Sequence, residues 1–268
     1  MIRSVRRVPL RVAECSLYCT VLLAPCHAAG AQSAIDARQT LNDAKLYVTA
    51  PLRWDSNDWT VFGGAVALVA ASHEFDTKVR DHFAGSAPIV LDGKDRNSSR
   101  DAYPAAAIVA ATWLYASVID DSSGYVEGWQ MLEAAGLSTL SVYALKLAAG
   151  RDRPNESTSP DHWFGGGSSF PSLHTSAAFA IGTVLAESGN ENWRWLRRGL
   201  GYGVALGTAY RRLDGNAHWM SDTVAGAAIG LATAGFVLER PSDRWLLHGL
   251  NVQPLERGAM VSWSMPLD

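Results

Sequence analysis

The sequence predicts an all-α protein, a multi-helix bundle that ends in a small β-hairpin. Apolar segments rich in Ala, Leu and Gly recur at helix length between residues 59 and 240, and turn-forming residues separate them. The chain is 48% hydrophobic and only 18% charged, which indicates much buried helix surface. Residues 251–264 form two short strand-like runs around Gly258, a pattern typical of a hairpin.

The predicted helices are rich in Ala and Gly on several faces, which favours close packing between them. Their longest uncharged runs are about 16 residues, apart from the run between Asp161 and Glu187, whose first half is loop-like, whereas a membrane span needs roughly 20. We therefore predict the core of a soluble bundle, with membrane-embedded helices as the alternative. The predicted helices run approximately over Ile35–Val48, Trp59–Ser72, Pro104–Ile119, Gly128–Ala149, Leu173–Ala186, Trp195–Tyr210 and His218–Leu238.

The first 31 residues differ from the rest and resemble a secretory signal. Four arginines precede an apolar run at Cys15–Pro25, and small residues follow it. An N-terminal membrane anchor is the alternative, but the apolar run is short for a span. We predict an exported, periplasmic protein, or alternatively an inner-membrane protein. The predicted division is a signal peptide (1–31), a polar segment with a short helix (32–58), a helical catalytic domain (59–240) and a tail with the hairpin (241–268).

The central pattern is Arg212, followed by His218 six residues later and Asp222 four residues after that. In a helix that begins near His218, Asp222 lies one turn along on the same face. Its carboxylate can accept the Nδ1 proton of the imidazole and leave Nε2 as a nucleophile. Arg212 can hold an anion in front of that nitrogen. Taken alone, the pair is weak evidence, since His and Asp often occur at this spacing.

A second pattern places Lys146 seven residues before Arg153, and Pro154 follows. Seven residues are close to two helical turns, so both cations would share a face if the helix continued to Arg153. Two cations near a helix end also suit the helix dipole, which is the simpler explanation.

The third pattern is a glycine loop, Gly165–Gly167, that leads into Pro171, Ser172 and an apolar helix. The backbone amides at the start of that helix would form an anion cradle, and Ser172 would add a hydroxyl. His174 in the first turn would lie beside the anion and could donate a proton to a leaving oxygen. The alternative is an ordinary capped helix with an incidental histidine.

These patterns occur in one chain, each at the border of an apolar helix. Together they resemble the signature motifs of the type-2 phosphatidic acid phosphatase and vanadium haloperoxidase superfamily. Those motifs are Lys-x6-Arg-Pro, Pro-Ser-Gly-His and Ser-Arg-x5-His-x3-Asp. The resemblance spans residues 146–222, and it implies a helical bundle of the acid phosphatase/vanadium haloperoxidase type.

The resemblance implies a role for each matching residue. His218 would be the nucleophile that forms a phosphohistidine, and Asp222 would orient it. His174 would protonate the leaving alcohol and then activate water. No metal is needed, because three cationic side chains supply the charge stabilisation, although vanadate could occupy the phosphate site. The implied phosphate-binding groups are Lys146, Arg153, Ser172, the backbone of Leu173, and Arg212.

Two positions depart from the family pattern. Leu173 replaces the glycine before the first histidine, so its side chain must point away from the anion. Arg211 replaces a serine and is expected to face solvent. We also expect Arg151 and Asp152 to form a surface pair. Residues 162–164 are expected either to form the substrate rim or to pack within their loop.

The sequence therefore predicts a metal-independent phosphatase acting on phosphomonoesters or pyrophosphates. Candidate substrates are lipid phosphates, namely phosphatidate, isoprenoid pyrophosphates or lipid A, and small soluble esters. The alternatives are a vanadate-dependent haloperoxidase and a degenerate phosphate-binding envelope protein. The formal net charge of −3 gives no reason to expect a nucleic-acid partner. Peripheral membrane contact is expected, and the oligomeric state is not determined.

Overall fold

The computed structural model describes residues 37–84, 98–119, 121–189, 191–238, 250–255 and 258–263. The predicted signal peptide at 1–31 lies outside these residues, and the division into segments stays a prediction. The described chain is mostly helical, so the predicted all-α class is confirmed. Its eight α-helices are α1 (Ala37–Val48), α2 (Ser56–His73), α3 (Asp76–Ala84), α4 (Ser98–Ile119), α5 (Ser122–Ala149), α6 (Leu173–Glu187), α7 (Arg194–Asp214) and α8 (Met220–Leu238). Two 3₁₀ turns lie at Ala50–Arg53 and Glu191–Trp193.

Several helices begin earlier than the apolar pattern indicated. Asp55 caps α2 by accepting the backbone N–H groups of Asn57 and Asp58 at 2.8 and 2.9 Å. Asp121 caps α5 in the same way, accepting the N–H of Ser123. Caps of this kind satisfy donors that the first helical turn leaves unpaired. The first turns of these helices are polar, so the apolar pattern of the sequence did not include them.

Two other features were not predicted. The short helix α3 was missed because its sequence is polar on average and only nine residues long. Helix α4 was expected to begin at Pro104, but it begins at Ser98 and contains Pro104 in its interior. Proline removes one helical hydrogen bond, and this helix tolerates that loss.

Helix α6 is the centre of the bundle and packs against α5, α7 and α8. Every residue from Thr175 to Ala186 is buried except Ala177. A helix that is apolar around its whole circumference must be buried on all sides, and this one is.

Backbones approach closely where α6 crosses its neighbours. A Cβ atom at Gly182 would lie 2.4 Å from the Gly201 carbonyl oxygen of α7. A Cβ at Gly230 of α8 would lie 2.3 Å from the carbonyl oxygen of Ser176. No side chain fits at either crossing, which explains why small residues line these helices.

Among the described residues, two helices are long and apolar enough to cross a membrane by length and composition. They are Ser99–Ile119, with 17% of its apolar window buried, and Met220–Leu238, with 56% buried. A buried core helix of a soluble protein meets the same criteria, so the soluble bundle stays a prediction. Helix α4 also exposes Leu114, Tyr115 and Val118. These features are compatible with membrane association.

Two antiparallel strands, Leu250–Leu255 and Gly258–Trp263, pair beyond the helices. The connection at residues 256–257 lies outside the described residues. The complete C-terminal hairpin therefore stays a prediction.

The α6–α8 crossing can be tested with Gly230→Ala. The added methyl group meets the Ser176 carbonyl oxygen, which is backbone and cannot rotate away. Overpacking of this kind costs about 1–3 kcal/mol. We expect thermal unfolding to show a Tm lower by about 2–4 °C for each kcal/mol lost.

The control is Gly207→Ala in α7, where nothing lies within 4 Å of the new Cβ. It should leave the Tm unchanged or raise it, because alanine favours a helix by up to about 1 kcal/mol over glycine. Equal Tm changes in the two variants would contradict this account of the crossing.

Candidate active site

The three sequence patterns converge where α5 and α7 end and where α6 and α8 begin. Lys146 lies in the last turn of α5, and Arg212 lies in the last turn of α7. The starts of α6 and α8 are joined by a 3.0 Å hydrogen bond from the Ser172 backbone N–H to the Asp222 carbonyl oxygen. Four helix ends therefore place the predicted residues around one point.

His218 and Asp222 face each other, but they do not lie on one helix. Helix α8 begins at Met220, so His218 precedes it. The turn that carries His218 folds back on α7, and the His218 backbone N–H donates to the Arg212 carbonyl oxygen at 3.3 Å. His218 Nδ1 lies 3.5 Å from Asp222 Oδ2, and both side chains are buried. Such contacts are often long in unliganded sites and shorten when substrate binds.

The surroundings of His218 keep its imidazole neutral. Burial lowers the pKa of His218 well below its usual value, and the nearby positive charges of Lys146, Arg212 and Arg153 lower it further. His174 adds a smaller effect in the same direction. These five residues therefore lie close enough to interact electrostatically. A neutral imidazole has a nitrogen lone pair available for attack.

Lys146 is held over the loop that follows α5. Its Nζ donates to the carbonyl oxygens of Ser168 and of Ser169, the latter at 3.3 Å. Burial lowers the pKa of Lys146 to about 7, and the positive charge of Arg153 contributes to this shift. An anion bound between these cations would reverse that effect.

Arg153 does not share a helical face with Lys146, so that expectation is wrong. Helix α5 ends at Ala149, and Gly150 adopts the left-handed conformation with φ 52°. This C-terminal glycine stops the helix four residues before the proline that was expected to stop it. Arg153 instead extends from the loop, where its Nη2 lies 3.4 Å from Ser168 Oγ.

Arg212 is buried against a carboxylate that the sequence did not indicate. Its Nη1 donates to Asp101 Oδ2 at 2.8 Å, and Asp101 is itself buried in the first turn of α4. Arg211 donates to the other oxygen, Oδ1, at 2.7 Å, although its side chain remains 47% exposed. The departure from the family's serine therefore gives Asp101 a second cationic partner. Asp101 holds the guanidinium of Arg212 in place.

At the start of α6, the Ser172 side chain does not cap the helix. Its hydroxyl is fully buried and accepts a hydrogen bond from Thr175 Oγ1 at 3.0 Å. Leu173 and His174 are the first two residues of the helix, and both are half-buried. The backbone amides that were predicted to bind an anion therefore lie at the N-terminus of α6.

The glycine loop is firmly attached rather than free. Gly165 and Gly167 donate their backbone N–H groups to the Gly150 carbonyl oxygen at 3.0 and 3.1 Å, and Ser169 donates to the Arg151 carbonyl oxygen at 2.8 Å. A Cβ at Gly167 would lie 2.3 Å from that same Arg151 oxygen. The glycines therefore allow the loop to lie against the end of α5, and this contact brings Ser169 Oγ onto Asp222 Oδ2.

Residues 162–164 differ in exposure: Trp163 packs within its loop, whereas His162 and Phe164 are exposed, and their part in a substrate rim stays a prediction. Trp163 packs within the loop, with its ring 4.4 Å from the Arg151 guanidinium carbon. His162 is exposed and lies 3.3 Å from Asp152 Oδ2. Phe164 is 83% exposed, and its backbone is fixed by a 2.8 Å hydrogen bond to the Ala149 carbonyl oxygen. Phe164 therefore projects an apolar ring beside the end of α5.

Arg151 was expected at the surface with Asp152, and that expectation is wrong. Its side chain is fully buried and pairs with Asp222 at 2.7 Å and with Asp76 at 2.6 Å. Asp76 and Asp101 were not indicated by the sequence, because each reaches the site from a distant part of the chain. Ser169 lies within the third pattern, but its contact with Asp222 is set by the loop packing and was also missed. The available signal was weak: Asp76 and Asp101 are single acidic residues near the starts of helices.

Comparison with known proteins shows a family match over the residues that carry the three motifs. Residues 127–246 match the family described as "PAP2 superfamily". A lipid A 1-phosphatase from Porphyromonas gingivalis is 34% identical over 101 residues, which make up 37% of this chain and 21% of that protein. The match thus spans about a fifth of the length of that curated relative. No solved structure matches the chain. The family match covers all three motifs, and together with this relative it supports a place in the type-2 phosphatidic acid phosphatase superfamily.

Proposed function

We propose that this protein is a phosphatase that hydrolyses lipid phosphates through a phosphohistidine intermediate. The observation that carries the proposal is a buried, neutral His218 surrounded by three cations and backed by Asp222. The cations suit a phosphate dianion, and the histidine suits in-line attack on it. The match to the superfamily agrees with this chemistry.

In the first step, His218 Nε2 attacks phosphorus and the bond from phosphorus to the ester oxygen breaks. His174 gives its proton to the departing oxygen, so that an alcohol leaves. The imidazole becomes positively charged when Nε2 is bonded to phosphorus, and Asp222 stabilises that charge at Nδ1. Lys146, Arg153 and Arg212 stabilise the equatorial oxygens as charge develops on them.

In the second step, neutral His174 takes a proton from water, and the water oxygen attacks phosphorus. The bond from phosphorus to His218 Nε2 breaks, and inorganic phosphate leaves. The amides of Leu173 and His174 at the start of α6 would bind phosphate oxygens throughout. The Ser172 hydroxyl would join them only if it turned away from Thr175. The proposal includes no metal ion.

Three observations support a lipid substrate over a soluble ester. The matched relative is a lipid A 1-phosphatase by name. Helix α4 is apolar and mostly exposed. The Phe164 ring projects beside the site, where it could contact the apolar part of a lipid. Lipid A, phosphatidate and isoprenoid pyrophosphates remain the candidate substrates. Export to the periplasm is also part of the proposal and rests on the sequence of residues 1–31.

The nucleophile is tested with His218→Ala. We expect the wild type to release phosphate from p-nitrophenyl phosphate and from phosphatidate with a chelator present. The variant should lose at least about 10³-fold in kcat, because no other group forms the covalent intermediate. The control is His82→Ala, an exposed histidine of α3, which should stay within about two-fold of wild type.

Two other outcomes would reject the proposed function. A wild type that binds phosphate but is as inert as His218→Ala on every ester would indicate a degenerate binding protein. Halide oxidation by peroxide after vanadate loading, without phosphatase activity, would indicate a haloperoxidase.

The Lys146 ammonium makes binding depend on pH. It is cationic below its pKa of about 7 and neutral above it, so kcat/KM should fall as pH rises through that value. Bound phosphate raises this pKa, so the corresponding fall in kcat should lie at higher pH. In Lys146→Arg, the fall near pH 7 should disappear, because arginine stays charged.

The matched control is Lys45→Arg, at an exposed position of α1, which should keep the wild-type pH profile. An alkaline limb that stays near pH 7 in Lys146→Arg would show that another group causes it.

The role of Phe164 is tested with Phe164→Ser. We expect KM for phosphatidate in mixed micelles to rise about three- to ten-fold, since a buried apolar contact contributes roughly 1 kcal/mol. The kinetics with p-nitrophenyl phosphate should not change. Equal effects on the two substrates would show that Phe164 has no part in lipid selection.

A further inference from the structure

A buried carboxylate outside the matched residues 127–246 is tied to the site. Asp76 is the first residue of α3, and its side chain is fully buried. It accepts hydrogen bonds from Arg151 Nη2 at 2.6 Å, from the Ser221 backbone N–H at 2.8 Å and from the Ser221 hydroxyl at 2.7 Å. Asp76 therefore holds the first turn of α8, the helix that carries Asp222.

Arg151 connects the two buried carboxylates. One arm of its guanidinium donates to Asp76, and the other donates to Asp222 Oδ1 at 2.7 Å. Its Nε donates to the Pro160 carbonyl oxygen at 2.9 Å, and Trp163 covers the group. A planar guanidinium with all three nitrogens engaged has one orientation. Asp222 is therefore held by a group that cannot rotate.

The remaining contacts of Asp222 complete its fixation. Asp222 Oδ2 accepts from Ser169 Oγ and from the Trp219 backbone N–H, the latter at 2.9 Å. The same oxygen faces His218 Nδ1. Its direction toward the imidazole thus depends on groups from several elements.

We propose that Asp76 and Arg151 are positioning residues for His218, acting through the Asp222 carboxylate. The inference rests on the proposed function, because His218 is the proposed nucleophile. Neither residue touches the phosphate in this arrangement. Their effect is to fix the distance and angle at which Asp222 meets the imidazole.

Charge balance explains why two residues are needed. Burial raises the pKa of Asp222, and Arg151 is the strongest opposing charge. Arg151 alone would neutralise Asp222 and leave little net charge to stabilise the phosphohistidine. Asp76 shares the charge of Arg151, so the three groups together keep one negative charge. That charge lies beside His218, where the positive imidazole forms.

The test compares Asp76→Asn, Arg151→Met and the double variant, all in the full chain. We measure kcat with p-nitrophenyl phosphate and the inhibition constant of inorganic phosphate. We expect kcat to fall about 10- to 100-fold in each variant, because small misplacement of a reacting group has effects of this size. The inhibition constant of phosphate should stay within about three-fold, because the three phosphate-binding cations are unchanged. The kcat of the double variant should not fall below that of the less active single variant, since both residues act through one interaction.

Arg151→Met and the double variant leave Asp222 buried without its cationic partner, and circular dichroism shows whether they fold. Asp76→Asn keeps the Arg151–Asp222 pair, so it decides the question if the other two variants do not fold. The matched control is Asp121→Asn, because asparagine caps a helix as well as aspartate, and it should match wild type.

The inference is overturned if Asp76→Asn retains kcat within two-fold of wild type. It is also overturned if kcat and the affinity for inorganic phosphate fall in parallel, which would indicate general loss of structure, or if the single effects simply multiply. If the wild type is active and His218→Ala is inactive, these outcomes reject only the positioning role and not the proposed function. An inert wild type overturns the proposed function and this inference together.

Discussion

The buried Asp222 carboxylate is the constraint on which the site depends. A charged carboxylate without partners would be too costly to bury, so the fold must supply donors for it. Arg151 and Ser169 come from the loop after α5, and the Trp219 backbone N–H comes from the start of α8. These hydrogen-bond donors offset the cost of burying the carboxylate, and they also fix its orientation. The same hydrogen bonds therefore stabilise the site and orient Asp222 toward His218.

A second buried carboxylate, Asp101, fixes the orientation of a cationic side chain of the site. Asp101 on α4 holds Arg212 of α7, as Asp76 on α3 holds Arg151. Both carboxylates come from helices that precede the residues matched to the family. Burial depresses the pKa values of Lys146 and His218, and the repulsion between the cations of the site lowers them further. The buried carboxylates of Asp76 and Asp101 offset part of this repulsion between cations. The side of the site that would face phosphate keeps a positive charge.

The helices combine this polar centre with an apolar exterior. Close crossings at Gly182 and Gly230 bring α6 against its neighbours and set the positions of the helix ends. Helix α4 and the ring of Phe164 present apolar surface outward. A phosphate site surrounded by such surfaces suits a substrate with a charged head and an apolar body, which is the reason we favour a lipid phosphate.

The helical class, the resemblance to the superfamily and the residues that converge on His218 could be predicted from the sequence, because motif spacing and apolar periodicity are local properties. The apolar pattern also located the last residue of α5, Ala149, and the first residue of α6, Leu173. The burial of Arg151 and the place of Asp76 and Asp101 at the site became visible only in the folded chain. Those pairings join residues far apart in the chain, and no local pattern records which buried charges will meet. The helix that carries Lys146 ends at Ala149 and does not reach Arg153. Gly150 turns the chain in the left-handed conformation, and the glycine loop then packs against this helix end.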